Sequence, residues 1–147
     1  MSYPEYKKSK PYNQSSTYEK KQIEPEKFDF ENVTIELFSS KAENYAIECS
    51  KSKNSNKSTQ LRRFYNELVM WEERSQTAEA FKNNLPFIYM IKSKVAYAKG
   101  RKNIDDVYQQ MMYGVINGIK ENNPKTLKNT KLFLEAFMGY YKELRKD

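Results

Sequence analysis

Lys94, Tyr97 and Arg101 stand at i, i+3 and i+7, so a helix running through them sets two cations and a phenol along one flank. Such a row suits a sugar-phosphate backbone. The Lys and Arg meet phosphate oxygens, and the ring between them offers a hydroxyl or a stacking surface. Lys92 and Lys99 carry charge along the opposite flank of the same stretch. The surroundings strengthen the signal. From Lys82 to Ile104 there is no acidic residue, while Lys82, Lys92, Lys94, Lys99, Arg101 and Lys102 all lie there. A second acid-free stretch, Cys49 to Asn66, holds Lys51, Lys53, Lys57, Arg62 and Arg63. Positive charge this concentrated faces an anion, and phosphate is the common one. The competing account of the same pattern is a solvated helix face with snorkelling lysines.

Catalysis has much less to work with. The chain contains no histidine, which removes the commonest general base and the commonest metal ligand together. Cys49 is the single cysteine, so the sequence offers no disulfide framework and no zinc cluster. At helical spacing from Phe38, Ala42 and Tyr45 it reads as a small buried apolar residue. Asp105 and Asp106 fall in the first turn of a helix, where they complement its dipole. The four glycines form neither a Walker-type nor a dinucleotide-type phosphate loop. The expectation is a protein that is not an enzyme, with no cofactor and no metal site. The formal charge of +7, from 26 basic and 19 acidic residues, fits a nucleic-acid binder. No apolar run approaches 18 residues and no signal-peptide core opens the chain, so the reading is cytoplasmic and free of membrane.

The elements that must position these residues are helical. At 147 residues the chain has the size of one domain. Residues 1–31 are rich in Lys, Ser, Tyr and Pro and poor in aliphatics, and read as a disordered tail. Residues 32–147 read as a helical domain. Ile35, Phe38, Ala42, Tyr45 and Cys49 mark a first helix over about 32–51. Ser58 or Thr59 caps a second, with Leu61, Phe64, Tyr65, Leu68 and Trp71 inward and Arg62 and Arg63 outward. Pro86 opens a third, lined by Phe87, Ile88, Ile91, Val95 and Ala98, and Gly100 stops it in the left-handed conformation. A fourth covers about 104–121. A fifth covers about 125–144, with Leu127, Leu134, Phe137, Met138, Tyr141 and Leu144 inward. The fold class is all-α: a single compact bundle of about five helices. Phe133, Phe137, Tyr140, Tyr141 and Leu144 cover more of the last helix than one bundle face needs, so part of that surface, Tyr140 above all, is expected at a subunit interface.

Three blocks also carry a family resemblance. Ser58-Thr59-Gln60-Leu61-Arg62-Arg63-Phe64 is followed by Ile91-Lys92-Ser93-Lys94-Val95-Ala96-Tyr97-Ala98-Lys99-Gly100-Arg101 and then by Phe133-Leu134-Glu135-Ala136-Phe137-Met138-Gly139-Tyr140-Tyr141-Lys142. In order and spacing they resemble the signature blocks of the small subunit of the type III-A CRISPR effector, the Csm complex. The likeness spans roughly residues 57–142. One departure is Asn56-Lys57, where the family pattern has a Gly-Leu pair. The resemblance implies a non-catalytic helical subunit of an antiviral ribonucleoprotein. It would stack in several copies beside the backbone subunit, near the large subunit, and contact guide RNA and target RNA. It assigns RNA contact to Arg62, Arg63, Lys94 and Arg101, to which the helix-flank reading adds Tyr97 and Lys99. Base pairing reads sequence in such a complex, so backbone grip is enough. Two other readings remain open at this stage: a helical interaction protein whose basic face meets an acidic protein, and a DNA-binding regulator using Gln60, Arg62 and Arg63.

Overall fold

A computed structural model describes residues 24–147 of the chain. Among them a π-helical turn, Leu37–Lys41, runs directly into α1 (Ala42–Ser50). It is followed by α2 (Ser58–Glu73), α3 (Ala78–Tyr89), α4 (Ile91–Gly100), α5 (Asp106–Asn117) and α6 (Lys125–Leu144). No strand occurs among the described residues, and the architecture is the expected all-α bundle. The interruption between α3 and α4 is the single residue Met90, so the two form one broken rod.

The π turn explains one difference from the helical periodicity. Leu37 and Ala42 are both buried and stand five residues apart, the spacing of a π rather than an α turn. The inward face therefore runs Leu37, Ala42, Ala46, Cys49, and Ile35, counted inward on a regular period, is 85% exposed. The third helix differs more. It does not open at Pro86. Thr77 caps it, its hydroxyl accepting from the Ala80 N–H at 3.1 Å, and Pro86 lies inside α3 with Met90 one turn beyond. Phe87, expected inward, faces out and stacks on Trp71 with ring centroids 5.9 Å apart. The second helix is capped by neither Ser58 nor Thr59; Lys57 holds the cap position with no side-chain bond, and the Ser58 hydroxyl donates to Asp147.

Phe28 and Phe30, which the sequence reading leaves in the polar tail, are buried in the core. Phe28 stacks on Phe30 at 5.4 Å and meets Phe133 edge-on at 4.8 Å. They cover Phe133, one end of the aromatic arc on α6. The expectation of disorder for the preceding tail lies outside the described residues. The Phe28–Phe30 segment crosses α5 at Gly114 and Gly118, one turn apart. A Cβ at Gly114 would sit 2.0 Å from the Glu26 carbonyl oxygen, and one at Gly118 would sit 2.5 Å from the Phe30 ring. Only hydrogen fits at either position.

Candidate nucleic-acid interface

The site is built where the start of α2 meets the end of α4, and Asn56 fixes that meeting. Asn56 is fully buried with φ 58°, in the left-handed region that glycine enters freely and asparagine tolerates best among the rest. Its side-chain amide donates to the Cys49 carbonyl at 3.1 Å, and its Oδ1 accepts from the Asp105 N–H at 3.0 Å. Its own N–H donates to the Asn103 carbonyl at 3.0 Å, and the Tyr141 hydroxyl donates to its carbonyl. One residue thus pins α1, the α4–α5 loop and α6 to the loop before α2. Burial raises the Tyr141 phenol and the Cys49 thiol well above their ordinary ranges, so both stay neutral and fit this dry junction.

The end of α4 is set by a second left-handed residue, and it is not Gly100. Lys102 takes φ 64°, while Gly100 has room for a Cβ and no positive φ. The Lys102 N–H donates to the Lys99 carbonyl at 3.0 Å and the Asn103 N–H to the Ala98 carbonyl at 2.9 Å, a Schellman closure. Arg101 is therefore held at the last turn and turned toward α2.

The two helices enclose an open groove of about 600 Å³. Gln60, Arg63 and Glu67 line it from α2, and Lys94, Tyr97 and Arg101 from α4; Phe64 and Ala98 form its floor. Tyr97 is 66% exposed. Its hydroxyl accepts from an Arg101 guanidinium N–H at 3.0 Å, and that guanidinium lies 5.7 Å from the ring centroid. The bond to Tyr97 raises the Arg101 pKa, so the cation is permanent. Ring and guanidinium form one preset surface.

Four of the six residues singled out from the sequence, Arg63, Lys94, Tyr97 and Arg101, come together in this groove. Arg62 and Lys99 do not line it. Arg62 is exposed on the side of Tyr65: burial raises the Tyr65 phenol, the Glu135 charge on α6 adds to the rise, and Arg62 opposes it. Lys99 pairs with Asp106 at 3.1 Å across the α4–α5 seam. On the same flank Lys92 donates to Asn117 at 2.8 Å and lies 5.2 Å from the Tyr113 ring centroid. One flank of α4 thus serves the bundle and the other faces the groove. The linear reading missed Glu67, which forms an ion pair with Lys94. The stretch around Lys94 is free of acid in sequence, but Glu67 arrives from the neighbouring helix. Gln60, Ser93 and Asn103 also line the groove. Only the fold, which packs α2 on α6 and α4 on α5 and so sets the two side by side, could reveal them.

A family model described as Csm2 Type III-A matches residues 32–147. No curated protein and no solved structure matches the chain. Among the described residues no helix is long and apolar enough to cross a membrane.

Proposed function

The chain belongs to the Csm2 family, the small subunit of the type III-A CRISPR effector, and we propose that it grips the guide–target RNA backbone there without catalysing a reaction. The groove between α2 and α4 is the observation that carries this reading. It presents Arg63, Lys94 and Arg101 around an exposed aromatic ring, and those groups match a phosphodiester chain. Nothing in it selects a base edge in the manner of a buried bidentate pocket, which suits a complex whose sequence reading is done by pairing. In this reading the protein works in the cytoplasm beside the backbone and large subunits, with other copies of itself as neighbours. A shallow notch lined by Ile47, Tyr140 and Leu144 between Glu43 and Glu143 is the candidate stacking surface, since its aliphatic residues are exposed and Tyr140 is half-buried.

Binding of the full chain to short RNA, measured across a salt series, tests the proposal. Lys94 is paired with Glu67, so two phosphate contacts, from Arg63 and Arg101, at about 0.7–0.9 each give log K a slope of roughly −1.4 to −1.8 against the logarithm of salt concentration, with no preference among base sequences. A flat salt response, or affinity that follows base identity, would overturn it.

A further inference from the structure

Glu67 is out of character for a phosphate groove. It is a carboxylate among cations, and its side chain is only 18% exposed. Its Oε1 accepts from Lys94 Nζ. Its Oε2 has no hydrogen-bond partner among the described residues and is not fully buried, so on a residue that lines the groove it keeps contact with solvent. The polar side chains around it, Arg63, Lys94, Arg101, Gln60, Ser93 and Asn103, all carry donors, and the charged ones carry donors alone. Glu67 Oε2 is therefore the strongest free acceptor in the groove. Against a phosphate it is repulsive. It is favourable only toward a ligand that brings a donor alongside its phosphates. The sugar-phosphate backbone carries one such donor, the ribose 2′-hydroxyl, and DNA lacks it.

We propose that Glu67 is a specificity-determining residue of this groove, accepting a hydrogen bond from a ribose 2′-hydroxyl and so favouring RNA over DNA. The inference rests on the groove being the nucleic-acid site. Lys94 holds the carboxylate in place from one side and leaves its other oxygen for the sugar. Arg63 and Arg101 take the flanking phosphates, where DNA and RNA are alike. A hydroxyl bonded to an ionised carboxylate is a charge-assisted contact, stronger than a neutral one. In DNA the same carboxylate meets only carbon-bound hydrogens, and the phosphate repulsion is common to both, so discrimination comes from the bond that only RNA can make.

The test compares three probes of one sequence, an oligoribonucleotide, its 2′-O-methyl form and its DNA form, on the full-length protein. Wild type should bind the ribonucleotide about tenfold more tightly than either of the others. Glu67→Ala should bring the three affinities within about twofold of one another, chiefly because the ribonucleotide loses the 2′-hydroxyl bond that the other two probes do not make. Glu67→Gln, which keeps a neutral acceptor, should retain part of the preference. The ratio between probes is unaffected by any loss of folded protein, so a destabilised variant still gives an answer. Equal gains for all three probes in Glu67→Ala would make Glu67 a mere repulsive charge and overturn the inference. So would a preference that survives the substitution. Arg63→Ala and Arg101→Ala separate the two levels of the argument. If they abolish binding while the preference ignores Glu67, only the role of Glu67 fails. If they leave binding unchanged, the groove itself is the wrong site and the inference falls with it.

Discussion

Two regions of the molecule depend on glycine-like backbone in opposite ways. Where residues 26–30 cross α5, the fold demands the absence of a side chain: a Cβ at Gly114 would overlap the Glu26 carbonyl oxygen. At the rim of the groove, Lys102 adopts a conformation that glycine would take more easily, and carries a long cation there instead. The crossing is dry and steric, with Phe28, Phe30 and Phe133 closed over one another. The groove is wet and electrostatic, with Tyr97 and Arg101 exposed. One region is optimised for packing and accepts almost no change. The other holds charge in the open and a left-handed lysine beside it.

The largest effect should come from breaking the dry region. Gly114→Ala has to lift the 26–30 segment off α5 and uncover Phe28 and Phe30. Each phenylalanine is worth roughly 1.5–3 kcal/mol of burial, so partial relaxation still leaves a loss of about 3 kcal/mol. Urea denaturation should show a lower midpoint, while RNA affinity per folded molecule stays at the wild-type value. An unchanged midpoint would mean the crossing is looser than its geometry. If RNA affinity fell together with stability, the two regions would be coupled rather than separate.

A smaller effect sharpens the comparison within α4. Arg101→Ala should reduce the salt slope of RNA binding by about one unit, since its guanidinium is free to take a phosphate. Lys99→Ala should change the slope far less, because Lys99 is paired with Asp106 on the bundle side. The pair is partly exposed, so its removal should also cost little stability. Equal changes in slope would show that both flanks of α4 meet RNA and that the groove is only half of the interface.

The smallest effect concerns the groove's own backbone. Lys102→Gly relieves a left-handed residue, worth roughly 1–2 kcal/mol, against an entropic cost of about 0.5–1 kcal/mol for glycine in the unfolded chain. The net should be a gain of about 0.5 kcal/mol, read as a rise of roughly 2 °C in Tm. A fall in Tm would show that the Lys102 side chain makes a stabilising contact that outweighs the strain.

Periodicity and composition carried the helical class, the two acid-free segments and most of the buried face of α2, where Leu61, Phe64 and Leu68 lie inward. They carried these features because each depends on neighbours within a turn or two. The row Lys94, Tyr97, Arg101 was legible for the same reason: a helix turns spacing directly into direction. Errors arose where a local rule had a distant competitor. Gly100 looked like the helix stop, but the closure falls at Lys102, beside the Asn103 and Asp105 backbone groups that Asn56 binds from far along the chain. Phe28 and Phe30 sat in a polar segment with no period, and only their packing on Phe133 brings them into the core. The charge of the groove shows the limit most clearly. The linear sequence around Lys94 contains no acid, and α2 supplies one in Glu67. Composition and local spacing determined a basic, helical chain with its cations concentrated in two acid-free segments. Which cations stay free, which are neutralised and where an acceptor sits among them was decided only by the packing of α2 on α6 and of α4 on α5, because charges interact through space and not along the sequence.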